Sequence, residues 1–510
     1  MSGRAATVNV IPGDYALSVG RSEMPSPRGW TWVSLTEVAR LESGHTPSRE
    51  HPEYWDGGIP WIGIKDARAH HGGTVVDTLQ TVTQSGIENS AARVLPRGTV
   101  CLSRTASVGY VVIIGREMAT SQDFVNWVCG PAIHPPFLQK LLIAENRSLF
   151  RFGKGSTHTT IYYPEVKAFH VCLPTVGEQR RIVAKLDALQ ARSRCARDAL
   201  DAVPPLLEKL RQSILAAAFR GDLTKDWRAK NKDVEPATKL LERIRLERRK
   251  KWEDSELAKM KAKGKRPTDD KWKSKYEEPA SIDATGLPQL PTGWCWARAE
   301  EVCEFITKGT TPSADKLAPQ GEVPFIKVYN LTFEGVVDFT VEPTFVDSRT
   351  HSGSLGRSRV FPGDVLMNIV GPPLGKVGIV PDTFPEWNMN QAIAVFRALP
   401  GLARAYLANH LLSSRTVQGA VRQGKATAGQ LNLTLAICRD MPVPLCSEVE
   451  QQLVVRTLVR AMTTTRELTI SIAASLKRLG LLEQSVLAEA FRGKLVPQAS
   501  GDEPSDAMSS

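Results

Sequence analysis

Apolar residues recur along this chain in two alternating regimes. Short β-branched and aromatic runs, such as Thr99-Val-Cys-Leu102, Tyr110-Val-Val-Ile-Ile114 and Lys376-Val-Gly-Ile-Val380, are broken by Gly and Pro. They read as strands between turns. A helix-like patch follows each group of strands, at 136–147 and 403–414. The second regime is a stripe with spacings of four and three: Ile182, Leu186, Leu189, Ser193, Ala196, Leu200, Val203, Leu207, Leu210 and Ile214. The same stripe returns as Val454, Leu458, Ala461, Thr465, Leu468, Ile472, Ser475, Leu479, Leu482 and Val486. A sustained period of 3.5 predicts paired helices with a coiled-coil seam. Pro204-Pro205 inside the first stripe predicts a kink or a restart.

The recurrence is wider than the stripes. Pro27-Arg-Gly-Trp30-Thr-Trp32 returns as Pro291-Thr-Gly-Trp294-Cys-Trp296, and Gly44-His-Thr-Pro47-Ser48 as Gly309-Thr-Thr-Pro312-Ser313. The closing segments match best, Gln212-Ser-Ile-Leu-Ala-Ala-Ala-Phe219-Arg220-Gly221 against Gln484-Ser-Val-Leu-Ala-Glu-Ala-Phe491-Arg492-Gly493. The offset drifts by only a few residues, so the chain is a tandem duplication. The expected fold is α+β, two tandem α/β domains separated by two long helices that form an antiparallel coiled coil. Each stripe spans roughly 50 Å at about 1.5 Å per residue, more than one small domain covers. Pairing equivalent helices across a local two-fold throws the heads to opposite ends, a pseudo-two-fold dumbbell. The expected organisation is a flexible tail at 1–26, head one at 27–175 and helix one at 176–221. A charged linker at 222–286, head two at 287–445, helix two at 446–496 and a flexible tail at 497–510 follow. The linker, dense in both signs of charge, reads as solvated, with a contact to nucleic acid or a partner subunit as the alternative.

Composition narrows the function. The 510 residues carry 65 Lys+Arg against 54 Asp+Glu, a net charge of +11, which permits nucleic-acid binding without requiring it. No apolar run is long enough to span a bilayer, and Met1 to Val19 lacks the pattern of a secretory signal. Eight scattered cysteines form no C-x-x-C pair, which argues against a disulfide framework or zinc site and for a cytosolic chain. No phosphate-binding loop occurs, since Gly153-Lys154 and Gly424-Lys425 are followed by Gly155 and Ala426. His134-Pro-Pro-Phe137 has His where a base-flipping methyltransferase needs an acceptor, and reads as prolines opening a helix. His70-His71 has no metal-site context. The two copies share no candidate catalytic set.

With these residues in view, the chain resembles the specificity subunit of type I DNA restriction–modification enzymes. The resemblance rests on the Pro-x-Gly-Trp-x-Trp openings, the Gly-x-Thr-Pro-Ser turns, Glu178-Gln179 and Glu450-Gln451 at the helix starts, and the Phe-Arg-Gly closings. It covers about 27–496; the proline pair and the charged insert depart from it. It implies a non-catalytic chain in which each head is a target recognition domain for one half of a bipartite double-stranded DNA site. It implies helices that fix the gap and dock two methyltransferase (modification) subunits, with restriction/motor subunits joining, all in the cytoplasm. S-adenosylmethionine, ATP and Mg would sit on those partners, with no cofactor in this chain. The rivals are a solitary DNA-modifying enzyme with degenerate motifs and a coiled-coil scaffold without a DNA role.

Base edges and phosphates are met by Arg, Lys, Gln, Ser and Thr on loops. Candidates in head one are Ser103, Arg104, Thr105, Lys154, Ser156 and Thr157; in head two they are Lys425, Thr427 and Gln430. Each type is equally at home in an ordinary turn. The Trp pairs sit beside apolar runs and read as core. Candidates for helix pairing are Ile182, Leu186, Leu189, Leu200, Leu207, Leu210 and Ile214 with Val454, Leu458, Leu468, Ile472, Leu479, Leu482 and Val486.

Overall fold

The strand-like runs of both copies become central strands because they are apolar at nearly every residue, as suits a strand covered on both faces. Val100–Ser103, Val111–Ile114 and Val365–Asn368 are buried throughout. A computed structural model places them and describes residues 16–17, 27–105, 107–154, 159–264, 267, 269–423, 425–427 and 430–498. The expected tails lie almost wholly outside these residues. The structure divides into two compact units, Met1–Asp201 with Ile472–Ser510, and Ala202–Ser471.

In the first unit a five-stranded sheet runs Ala39–Ser43, Phe124–Cys129, Val100–Ser103, Val111–Ile114, Thr74–Val75. All neighbours are antiparallel except the last, which is parallel. In the second unit the order is Cys303–Lys308, Ile393–Ala398, Val365–Asn368, Val377–Ile379, Gly335–Val336, again with only the last pair parallel. The duplication read from the sequence is thus a duplication of topology. Each unit adds a small sheet, Gln80–Val82 and Ala119–Thr120 flanking Trp55–Ile62 in one, and Phe345–Val346 and Trp387–Met389 flanking Val323–Ile326 in the other. A helix covers each core sheet, Pro135–Glu145 and Arg404–Leu411.

The long helices begin at Val176 and Glu448. The first stops at Asp201 and restarts at Val203, because two successive prolines lack the N–H groups that would bond back one turn. The second runs unbroken from Glu448 to Ala490. Within the first unit, Ile182, Val183 and Leu186 share one core with Ala490 and Phe491, and Arg197 pairs with Glu483 at 3.0 Å. Rising numbers on one helix therefore meet falling numbers on the other, and the two segments run antiparallel. Within the second unit, Leu215, Ala218 and Phe219 share the core of the head with Val454 and Leu458. Each unit is thus completed by the start of its own helix and the end of the other.

The charged stretch differs from the solvated linker expected of it. Its helix Ala237–Ala262 buries Ala237, Leu240, Leu241 and Ile244 in the core of the second unit. Arg245 reaches the buried Glu301 at 2.5 Å, and Lys251 reaches Glu304 at 3.0 Å. The apolar residues form one stripe among many charges, and a helix needs only one stripe to dock. Among the described residues no helix is long and apolar enough to cross a membrane.

Candidate nucleic-acid interface

The recurrent sequence motifs build the frame on which any interface must sit. Trp30 and Trp294 are buried, as expected of core residues. The Trp30 indole donates to Glu178 at 3.1 Å, and Trp294 donates to Glu450 at 2.9 Å. Gln179 donates to Ala132 O and Pro174 O and accepts from His134 N at 2.8 Å. Gln451 repeats every bond with Gly401 O, Cys446 O and Ala403 N. The Glu-Gln pair therefore locks the helix start to the head's first strand and to its covering helix. Arg228 adds a 2.5 Å ion pair to Glu450.

The Phe-Arg-Gly closings complete the frame. Phe491 meets Phe137 edge-on at 5.3 Å, and Phe219 meets Tyr406 at 5.1 Å. Gly493 (φ +67°) and Gly221 (φ +78°) turn the chain away where a Cβ would strike Pro27 and Pro291. The opening proline of each repeat therefore rests on the closing glycine of a helix.

Three of the candidate contact residues cluster in head one. Ser103 is buried and closes a hairpin: its Oγ donates to Ser107 O at 2.5 Å and accepts from Tyr110 N at 2.9 Å. Asn368 does the same work in head two, accepting from Lys376 N at 2.8 Å and donating to Pro373 O at 2.8 Å. Arg104 lies over the Tyr163 ring at 4.9 Å and donates to Gln122 O at 3.2 Å and Ile161 O at 3.4 Å. Burial pushes the Tyr163 phenol up, while hydrogen bonding to Ser43 and the charge of Arg104 act the other way. Thr105 bridges to Thr160. The backbone of Lys154 pairs with Thr160 from the other side, so Thr105 and Lys154 flank one strand. Ser156 and Thr157 lie outside the described residues. In head two the backbones of Lys425, Thr427 and Gln430 form a hairpin that pairs with Val370–Gly371, the counterpart of Thr105 by strand register. Their side chains are not described.

Beside the Arg104 turn lies a polar cleft that the sequence reading missed. It encloses about 540 Å³ and is lined by Arg49, Lys65, Gln80, Ser121 and Asp123 above Trp61. The signal for it was the Gly-x-Thr-Pro-Ser turn. A Cβ on Gly44 would collide with Ser121 O, and one on Gly309 with Asn390 O, so this turn must press against the strand end that floors the cleft.

The seam residues divide by exposure. Ile182, Leu186, Leu207, Val454 and Leu458 are buried; Leu189, Leu200, Ile214, Ile472, Leu479 and Val486 are half-buried. Leu210, Leu468 and Leu482 are 48%, 47% and 56% exposed, too open for a closed seam. In the first unit a groove of about 250 Å³ separates Leu186, Leu189, Ser193 and Ala196 from Leu479, Leu482 and Val486.

Residues 27–200 match the family model described as the type I restriction modification DNA specificity domain. The EcoDI specificity subunit of Escherichia coli is 22% identical over 487 residues, 94% of this chain and 91% of that one. Along nearly its whole length the chain is similar to type I restriction enzyme specificity subunits. Another relative, the EcoKI specificity subunit of Escherichia coli K12, is 40% identical over 88 residues, 16% of this chain and 19% of that one. A solved structure from a study of assembly of the type I R-M system aligns with TM-score 0.63 at 19% identity, covering 92% of this chain and 100% of that one. The HsdS subunit from Thermoanaerobacter tengcongensis aligns with TM-score 0.53 at 20% identity, covering 93% and 100%. At these identities the two likenesses show the fold alone.

Proposed function

We propose that this chain is the DNA sequence-recognition subunit of a type I restriction–modification complex, with each head reading one half of a bipartite target. The observation that carries the reading is a head built twice on one frame, with different polar groups set in it. Both heads keep the strand order and the Trp-Glu-Gln lock. They differ at the hairpin, where Arg104-Thr105 in one is Ile369-Val370 in the other. Reading two unlike half-sites needs that combination, because base edges are told apart by the donors and acceptors offered to them.

In this reading the long helices set the gap between the half-sites and dock two methyltransferase subunits, to which restriction/motor subunits add. Leu210, Leu468 and Leu482, left open on the helices, suit such docking. Methyl transfer and cleavage, with S-adenosylmethionine, ATP and Mg, belong to the partners, and the complex works in the cytoplasm. Candidate DNA-facing groups are Arg104 and Thr105, with Lys154, Lys425, Thr427 and Gln430 on the adjoining hairpins; Ser156 and Thr157 remain candidates from the sequence alone.

The test maps methylated adenines in cells with and without this gene, the partner subunits being present in both. A two-block motif with a gap of fixed length should vanish with the gene. A motif that persists, or one without a gap, would contradict the reading.

A further inference from the structure

We infer that the polar cleft of head one is a base-reading site, with Arg49 and Gln80 as its specificity-determining pair for one half of the target. The inference rests on the proposed function and assigns residues within it.

Four observations point to this cleft. First, it holds two of the side chains that read purines bidentately, already fixed. The Arg49 guanidinium lies 4.3 Å over the Trp55 ring, and its Nη2 donates to Gln80 Oε1 at 3.0 Å. That bond leaves the Gln80 amide N–H groups and the rest of the Arg49 fork free for a base edge. Arginine suits guanine O6 and N7, and glutamine suits adenine N6 and N7. Second, the platform beneath them is rigid. Trp55 donates to Ser48 O at 3.2 Å and Trp61 donates to His45 O at 3.1 Å, pinning both rings to the Gly-x-Thr-Pro-Ser turn. The buried Asp66 accepts from Gly63 N at 2.9 Å and Leu79 N at 2.8 Å, fixing the rim on two sides. Pre-organisation of this kind lowers the entropic cost of binding. Third, Leu79 stands on that rim 73% exposed. An apolar side chain held out beside an Arg–Gln pair fits the methyl group of thymine.

The fourth observation comes from the duplication. By strand register, Trp61 corresponds to Phe325, Asp66 to Asn330 and Ser121 to Asn390. Asn330 repeats the first of these bonds, accepting from Lys327 N at 2.9 Å, and replaces the second by donating to Asp338 O and Val341 O. The frame is therefore kept. The lining is not: Arg49, Lys65, Gln80 and Asp123 stand where head two has Ala314, Tyr329, Thr344 and Ala392. A surface whose support repeats while its donors and acceptors change is what two readers of unlike sequences require. A phosphate-binding surface would keep its cations in both copies, since phosphates are the same everywhere.

The test assembles the full chain with its methyltransferase partners and measures binding to duplexes in which each target base pair is replaced in turn. Arg49→Ala and Gln80→Ala should each weaken binding to the native site about ten- to hundred-fold, the range of one good bidentate contact. They should also flatten the replacement penalty at one or two adjacent pairs of a single half-site. Arg49→Lys, which keeps the charge and loses the fork, should flatten the same positions with a smaller loss of affinity. Arg97→Ala, an exposed arginine outside the cleft, should leave the profile unchanged. If assembled Arg49 and Gln80 variants keep the wild-type penalty profile, the inference fails and the proposed function stands. A loss equal for every duplex, with a shallower salt dependence, would mark a phosphate contact and equally overturn base reading. A wild-type complex without any sequence-dependent profile would overturn both.

Discussion

The seal between helix end and head is built twice, from different materials. In the first unit Phe491 packs on Phe137, and Leu141 lies one turn further along the covering helix. In the second, Phe219 packs on Tyr406, and His410 occupies the place of Leu141, its ring 5.0 Å from that of Phe219. Each polar atom brought into the second seal needs a partner. Two of the three find one: the Tyr406 hydroxyl donates to Pro444 O at 2.7 Å and His410 Nε2 lies 2.8 Å from Pro442 O, while the buried His410 Nδ1 has none. Both acceptors lie on the strand Pro442–Leu445 that leads into the second long helix. The comparison teaches that one joint geometry tolerates either hydrocarbon or hydrogen-bonded packing, but the second choice makes it answer to pH.

The largest effects should come from removing the seals. Phe491→Ala and Phe219→Ala should each cost about 3–5 kcal/mol, the usual range for a buried aromatic truncated to alanine. Hydrogen exchange should localise the loss of protection to the first unit for Phe491→Ala and to the second for Phe219→Ala. Equal loss in both units from either variant would mean that the seals do not belong to separate units.

Acid should separate the two seals next. Burial pushes the His410 imidazole down to about 4, with the bond to Pro442 acting the other way. An unfolded histidine titrates near about 6.5, so between those values the unfolded chain binds the extra proton. The stabilisation from a neutral His410 is therefore complete above about pH 6.5 and is lost as pH falls toward 4. At about 1.4 kcal/mol per pH unit the whole effect is about 3 kcal/mol. Urea unfolding at pH 7 and pH 5 should show the second unit weakening, and His410→Leu, which copies the first unit, should remove that weakening. An unchanged pH response in His410→Leu would assign the acid sensitivity elsewhere.

The smallest effects on the chain alone should come from Leu210, Leu468 and Leu482. Replaced by Gln, each should change stability by about 0.5 kcal/mol or less, as at exposed sites generally. The same replacements should weaken assembly with the methyltransferase subunits, measured by titration of the purified partners. Full-strength assembly would leave these leucines without a docking role.

What the sequence made legible followed from local spacing. The Trp openings, the Glu-Gln helix starts and the Phe-Arg-Gly closings were visible as repeats, and each proved to be a joint of the frame. The stripe on the long helices was read as one seam. Leu215 and Ala218, outside that stripe, are buried in the core of the second unit, while Leu210, inside it, is half exposed. A helix that packs on a head as well as on another helix buries two faces, and a single period cannot describe both. The cleft was hidden for a different reason. Arg49 and Gln80 are 31 residues apart and meet only because Gln80–Val82 pairs with Trp55–Ile62. The docking of 237–244 was obscured by its charges, although Leu240, Leu241 and Ile244 already lay at helical spacing.

The central claim is that the heads read independently, each its own half of one DNA target. The direct measurement exchanges residues 27–175 for the equivalent head of a type I restriction enzyme specificity subunit and maps adenine methylation by the reassembled complex. The expected result is a motif in which one block changes while the other block and the gap remain. Change in both blocks, or in neither, would contradict the account.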